Sequence, residues 1–228
     1  MKGCLTVVFL LLFLSSFSFG QTQQPTCNCP PNEFGLSNAK ADTVFHLSDG
    51  KSVALCGSRN TNVSKGRTFY SGFVLAACGE AHVIKFWGAM LECQLHVHHD
   101  TLIVETLERL PAGKNMRYKW IAWTIERIYF RNGKAVNDFS VNRHIPRYTK
   151  QEIRSAILQY EKMGETLSNA NMEVADKLFM SAISGSVKAR IYLKDFNHYF
   201  DGLDGDYLEW YDGLMQKLKL WDTGTDRK

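Results

Sequence analysis

The sequence predicts an α+β protein, an antiparallel β region followed by four amphipathic helices packed as one compact unit. Three observations carry that expectation: hairpin punctuation at Asp49-Gly50 and Asn132-Gly133, apolar/polar alternation in the segments around them, and a switch to helical period near residue 148.

The elements follow in order. Val44–Ser48 and Lys51–Leu55 flank Asp49-Gly50, a dipeptide suited to the two positive φ angles of a type I′ turn. Phe69–Cys78 is a largely apolar run stopped by Gly79. With His99-Asp100 as a two-residue turn, Val97 faces Leu102 and Leu95 faces Val104 on one side. Glu92, Gln94, His96 and His98 then share the other side with Ile103 and Glu105. A third hairpin closes on Asn132-Gly133 after a long strand from Tyr118 to Arg131. Thr149 and Glu152 form a capping box, opening a helix with Ile153, Ala156, Ile157 and Tyr160 on one stripe and Gly164 as its left-handed stop. Val174, Leu178, Phe179, Ala182 and Ile183 mark a second helix ending near Gly185. Ala189, Leu193, Phe196 and Phe200 mark a third, halted at Asp201-Gly202. Asp206 and Glu209 box the start of a fourth, with Tyr207, Tyr211, Leu214, Leu218 and Trp221 as its stripe. The expected organisation is a signal peptide over residues 1–20, an extended arm over 21–41, the β region over 42–147, the helical region over 148–222 and a frayed tail over 223–228.

The leader carries Lys2, an apolar run from Leu5 to Leu14, and small residues at Ser18 and Gly20, which predicts cleavage after Gly20 and a secreted or periplasmic protein. The run is shorter than the roughly 20 apolar residues a bilayer-spanning helix needs, so no transmembrane segment is expected after cleavage. Gln24-Pro25-Thr26 does not resemble the approach to a lipidated Cys27. Removing Cys4 with the leader leaves Cys27, Cys29, Cys56, Cys78 and Cys93, enough for two internal disulfides and one unpaired thiol. A bridge within Cys27-Asn28-Cys29 would be a strained ring, so both cysteines are expected to pair elsewhere in the domain. Asn62-Val63-Ser64 is a glycan acceptor if the source is eukaryotic.

Composition is that of an ordinary globular protein, 45% hydrophobic and 22% charged. The net charge of +4 is too small to point to nucleic acid, yet residues 109–147 concentrate nine Lys or Arg against Glu126 and Asp138. On the long strand, strict alternation puts Lys119, Ile121, Trp123, Ile125, Arg127, Tyr129 and Arg131 on one side. Cations between aromatic rings (Lys119, Trp123, Arg127, Tyr129 and Arg131) are suited to an acidic glycan, an anionic lipid headgroup or an acidic protein. His96 and His98, two apart on a strand, with Glu105 on the partner strand, form a candidate divalent-metal set of two imidazoles and a carboxylate. Cys93 points inward with Leu95 and Val97. Asp201, Asp204 and Asp206 lack the spacing of a calcium loop and read as turn and cap residues. No GxSxG elbow, phosphate-binding loop, dinucleotide fingerprint or strong zinc spacing occurs. The sequence therefore favours a non-catalytic binding or interaction domain without a cofactor, over a metal-dependent hydrolase or a structural envelope or assembly component.

Overall fold

The computed structural model describes residues 27–31, 40–60, 68–164 and 166–224. The leader, most of the arm, Asn62-Val63-Ser64 and the last four residues lie outside them. The strands are β1 (Thr43–His46), β2 (Ser52–Asn60), β3 (Phe69–Ala77), β4 (Val83–Trp87), β5 (Glu92–His98), β6 (Thr101–Leu110), β7 (Lys119–Arg131) and β8 (Lys134–Val141). The helices are α1 (Lys150–Glu161), α2 (Asn169–Ile183), α3 (Val187–Tyr199) and α4 (Gly205–Thr223). The α+β order read from the sequence is thus the order of the structure.

All strand pairs are antiparallel and belong to one sheet in the order β1-β2-β3-β5-β6-β7-β8, with β4 also on β3. β4 was not foreseen, because its residues are neither a clean alternation nor flanked by turn residues of a tight hairpin. The sheet bends so that Val53, Leu55, Phe73, Leu75 and Trp87 of its first half share a core with Leu102, Val104 and Ile128 of its second. The β5–β6 register matches the expected one, Val97 opposite Leu102 and Leu95 opposite Val104, with His99 at positive φ in the turn. Asn132 (φ 52°) and Gly133 (φ 75°) both take the left-handed conformations of a type I′ turn.

The Asp49-Gly50 turn differs from expectation. Only Gly50 has a positive φ, and Leu47 N–H donates to the Lys51 carbonyl (2.8 Å) across a three-residue loop. Asp49 Oδ1 accepts the Lys51 N–H (2.9 Å), a side-chain turn that favours this longer loop over type I′.

β7 carries the more consequential correction. Thr106 pairs with Thr124 but Leu107 pairs with Ala122, so Trp123 is an extra residue, a β-bulge. A bulge shifts every side chain on one side of it to the opposite face. Ile121 therefore joins the face of Thr124, Glu126 and Ile128, and the seven residues expected on one side do not share it. Trp123 enters the core between sheet and helices, stacked on Trp221 (5.7 Å) and tilted against Phe179 (5.6 Å).

Cys27 pairs with Cys78 and Cys29 with Cys56, and Cys93 is free and buried. The two bridges hold the segment 27–31 against the sheet, where Cys29, Ala41, Ala54, Cys56 and Val74 form a small separate core.

A third core runs across the junction of the two regions: Leu110, Ile121, Trp123 and Val141 of the sheet pack with the apolar stripes of the helices. The stripes are those read from the sequence, and the Thr149–Glu152 capping box is present. Thr149→Ala removes the acceptor of the Glu152 N–H (3.3 Å) and is expected to cost about 1 kcal/mol in chemical denaturation. Two end signals differ. Gly164 has no positive φ; α1 instead closes with a tight bond from Met163 N–H to the Tyr160 carbonyl (3.1 Å). α4 starts at Gly205 after Asp204, so Asp206 falls inside the first turn, where its charge complements the helix dipole instead of capping a backbone N–H. Gly185 (φ 99°) and Asp201-Gly202 (φ 56° and 106°) end α2 and α3 as expected. Part of the basic stretch serves these ends: Arg147 donates to the Ile183 carbonyl at the end of α2, and Arg143 Nη2 lies against Gly224 at the end of α4. Both guanidinium groups sit 4.2 Å from the Trp221 ring.

Candidate functional site

Two regions combine polar chemistry with access: the outer face of β5–β8, and the space between the inner sheet face and the helices.

The cross-strand register defines the outer face. His96, Ile103, Arg127 and Asp138 form one row, and Gln94, Glu105, Ile125 and Ser140 the next. Tyr129 and Val136, then Arg131 and Lys134, continue it. The histidine set and the arginine set read separately from the sequence thus lie on the same face. Arg127 donates to Ser140 Oγ (3.0 Å), Tyr129 to Asp138 (2.8 Å), and Arg131 stands over the Tyr129 ring at 5.6 Å. The bond to Asp138 holds the Tyr129 hydroxyl above its ordinary pKa. Among the described residues neither arginine is in an ion pair. Of the five predicted binding residues, Arg127, Tyr129 and Arg131 stay together. Lys119 is exposed at the far end of the strand beyond the bulge, and Trp123 is internal.

His96 and His98 are exposed and two apart on β5, while Glu105 stands opposite Gln94. No group of three or more His, Cys, Asp or Glu side chains among the described residues is placed to hold a metal ion. Cys93 is inward, beside Thr106 (3.8 Å), and burial pushes its thiol up to about 12, far from the thiolate that redox or nucleophilic chemistry needs.

Between α4 and the sheet lies a pocket of about 350 Å³, open to solvent and bounded in part by Lys85, Trp87, Trp123, Glu126 and Gly213. Glu126 is 3% exposed and receives Lys85 Nζ (2.6 Å) and Asn137 Nδ2 (2.6 Å). Lys217 pairs with Glu108 (3.3 Å) on the same wall. Trp87 and Trp123, 1% and 3% exposed, leave their indole N–H groups without a hydrogen-bond partner. Each such orphan donor costs on the order of 1–3 kcal/mol. Gly213 adds a further cost, since glycine inside a helix is worth about 1 kcal/mol less than alanine. Sequence reasoning missed Trp87, Lys85 and Glu126 as a group; the signal was Glu126, a lone carboxylate on a strand side otherwise carrying Thr124 and Ile128.

A smaller cavity of about 260 Å³ adjoins it, sharing Glu108 and Lys217 and holding Asp176 of α2. Tyr118 donates to Asp176 Oδ2 (2.5 Å) and Trp210 Nε1 to Oδ1 (3.0 Å). Burial raises Asp176 to about 6 and holds the Tyr118 hydroxyl well above its usual range. A carboxylate poised near neutrality is the kind that acid–base catalysis uses. Here both oxygens are engaged by the fold, so the group ties α2 and α4 to the approach of β7.

No family model, curated protein or solved structure matches the chain. Two cysteine pairs at disulfide distance fit an extracellular setting, and among the described residues no helix is long and apolar enough to cross a membrane.

Proposed function

We propose that the chain is a secreted or periplasmic, non-catalytic binding protein that captures an acidic glycan on the outer face of β5–β8. The observation that carries this reading is the pair Arg127 and Arg131, held in place by Ser140 and Tyr129, outside any ion pair among the described residues, on an open face. Two fixed guanidinium groups match the anionic oxygens of such a ligand, and Tyr129 offers a ring on which a sugar can lie. Anionic lipid headgroups and acidic proteins share the charge but not the stacking.

The test is capture on immobilised acidic glycans, anionic vesicles and acidic proteins at low and high salt. Glycan binding that weakens with salt and falls at least tenfold in the Arg127→Glu, Arg131→Glu double variant is the expected result, with a melting temperature shifted by no more than about 2 °C. Salt-insensitive indifference to all three arms removes the reading. A second reading, a divalent-metal hydrolase at His96, His98 and Glu105, draws only on the shared face of the two imidazoles. Zinc retained in stoichiometric amount by purified protein, and lost in a His96→Ala, His98→Ala variant, would favour it over glycan capture. A structural envelope or assembly role would instead appear as self-association.

A further inference from the structure

The end of the sheet remote from Arg127 and Arg131 gathers exposed apolar side chains and cations that the fold does not use. Glu92 stands opposite Leu107, so continuing the β5–β6 register puts Leu91 level with Glu108 and Met90 level with Arg109. Leu91 and Glu108 border one pocket, in agreement with that continuation. Arg109 is in turn the cross-strand partner of Trp120, and Leu110 of Lys119. Adjacent strands lie about 4.8 Å apart, so Met90 and Trp120 are roughly 10 Å from each other with Arg109 between them.

Met90 is 95% exposed, on a tight turn closed by the Leu91 N–H on the Gly88 carbonyl (3.1 Å). Trp120 is 52% exposed, and Leu91 is exposed beside Met90. Apolar side chains scattered singly over a surface are ordinary; three at one end of a sheet are not. The bulge in β7 accounts for Trp120: without the extra residue it would share the inner face of Thr124 and Glu126.

The charge around them is positive. Arg109 and Lys119 are exposed on the strands, and Lys114 and Arg117 on the connection from β6 to β7. That connection is held by the Gly113 N–H on the Arg117 carbonyl (2.9 Å). Among the described residues none of the four cations is in an ion pair. Arg109 stands over the Tyr118 ring at 5.5 Å. Of the neighbouring carboxylates, Glu108 is matched by Lys217 (3.3 Å), and Glu92 and Glu173 do not offset the four.

We propose that this end of the sheet docks on the surface of a bilayer rich in anionic lipid. Met90, Leu91 and Trp120 enter the interfacial layer, where an indole is at home, and Arg109, Lys114, Arg117 and Lys119 meet the headgroup phosphates. A fluid interface takes up a flexible Met90 and an isolated Trp120 without a complementary shape, which a folded acidic protein would have to supply. This surface does not rest on the glycan reading.

Co-sedimentation of the purified protein with phosphatidylcholine vesicles, with and without phosphatidylglycerol, tests it. Binding at least tenfold stronger with phosphatidylglycerol, weakening with salt, is expected. Met90→Glu, at a side chain that touches almost nothing, should lower it several-fold in folded protein. Arg117→Glu with Lys119→Glu should lower it at least tenfold. Arg127→Glu with Arg131→Glu should leave it within twofold, which separates this surface from the glycan face. Lipids brominated on the acyl chain should quench tryptophan emission in wild type and much less in Trp120→Phe. Vesicle binding absent, indifferent to phosphatidylglycerol, unchanged in the first two variants, or lost in the Arg127 and Arg131 variant would each overturn the proposal. So would equal quenching in Trp120→Phe, or capture of soluble polyglutamate through the same residues while vesicles are ignored.

Discussion

Cys56→Ser is expected to lower the unfolding free energy by roughly 2–4 kcal/mol, and the melting temperature by about 5–15 °C. Opening the Cys29–Cys56 bridge frees a loop of 27 residues in the unfolded chain and also leaves a hydroxyl in the small core of Ala41, Ala54 and Val74. Cys27–Cys78 spans 51 residues, so its removal relaxes the unfolded ensemble at least as much. Dithiothreitol should reproduce and exceed the single substitution, because it opens both bridges. Cys93→Ala provides the control: that thiol is free, so its small packing cost should be independent of reductant. Urea denaturation of the three proteins with and without reductant decides the matter. Identical midpoints for wild type and Cys56→Ser under oxidising conditions would refute the assignment of stability to this bridge.

The cysteine count, read without geometry, limited the pairing to two bridges and one thiol, and the β5–β6 register placed Cys93 inward without deciding whether it was the unpaired one. Which partners met was illegible, because the sheet order brings Cys56 and Cys78 to the segment 27–31 only once β2 and β3 are paired. Periodicity found the four helices because each buries one stripe, and it found the strands whose side chains alternate. It failed at Trp123 for a physical reason: a bulge has no residue signature as firm as that of a turn glycine, and one extra residue inverts the face of everything beyond it. The same slip separates Trp123 from Arg127 and delivers it to the pocket under α4. Asp176 was hidden differently. It lies between Ala175 and Lys177 on a helix whose apolar positions were counted, and nothing local records that Tyr118 and Trp210, far away in the chain, converge on it. The concentration of positive charge in 109–147 was visible, but its division between helix ends at Arg143 and Arg147 and an open sheet face at Arg127 and Arg131 depends on tertiary placement.

The protein should lose stability as pH rises from about 4 to 6, and Asp176→Asn should abolish that loss. Asp176 is 2% exposed, and burial raises its pKa from 3.8 to about 6 in the folded state. Between those values the native protein holds a proton that the unfolded chain has released, so stability falls with increasing pH. The contribution is complete below the unfolded value and is gone once pH passes the folded one; a shift of about two units corresponds to roughly 3 kcal/mol. The groups around the carboxyl set the size of the effect: the Tyr118 and Trp210 donors and the Lys217 charge favour ionisation, Glu173 opposes it, and desolvation outweighs them. Glu161 works in the other direction. Its bonds to Lys188 and Tyr192 depress its pKa, so its contribution is lost as pH falls. That opposing slope is present in both proteins and cancels in their difference. Asn at position 176 keeps one acceptor for Tyr118 or Trp210 and carries no charge to desolvate. Plotted against pH, the stability of wild type minus that of Asp176→Asn should therefore decline by roughly 3 kcal/mol between pH 4 and 7 and be flat above it. Parallel curves over that window would mean that Asp176 titrates as an ordinary surface carboxylate, and that its burial between Tyr118 and Trp210 does not hold the helices to the sheet in the way described.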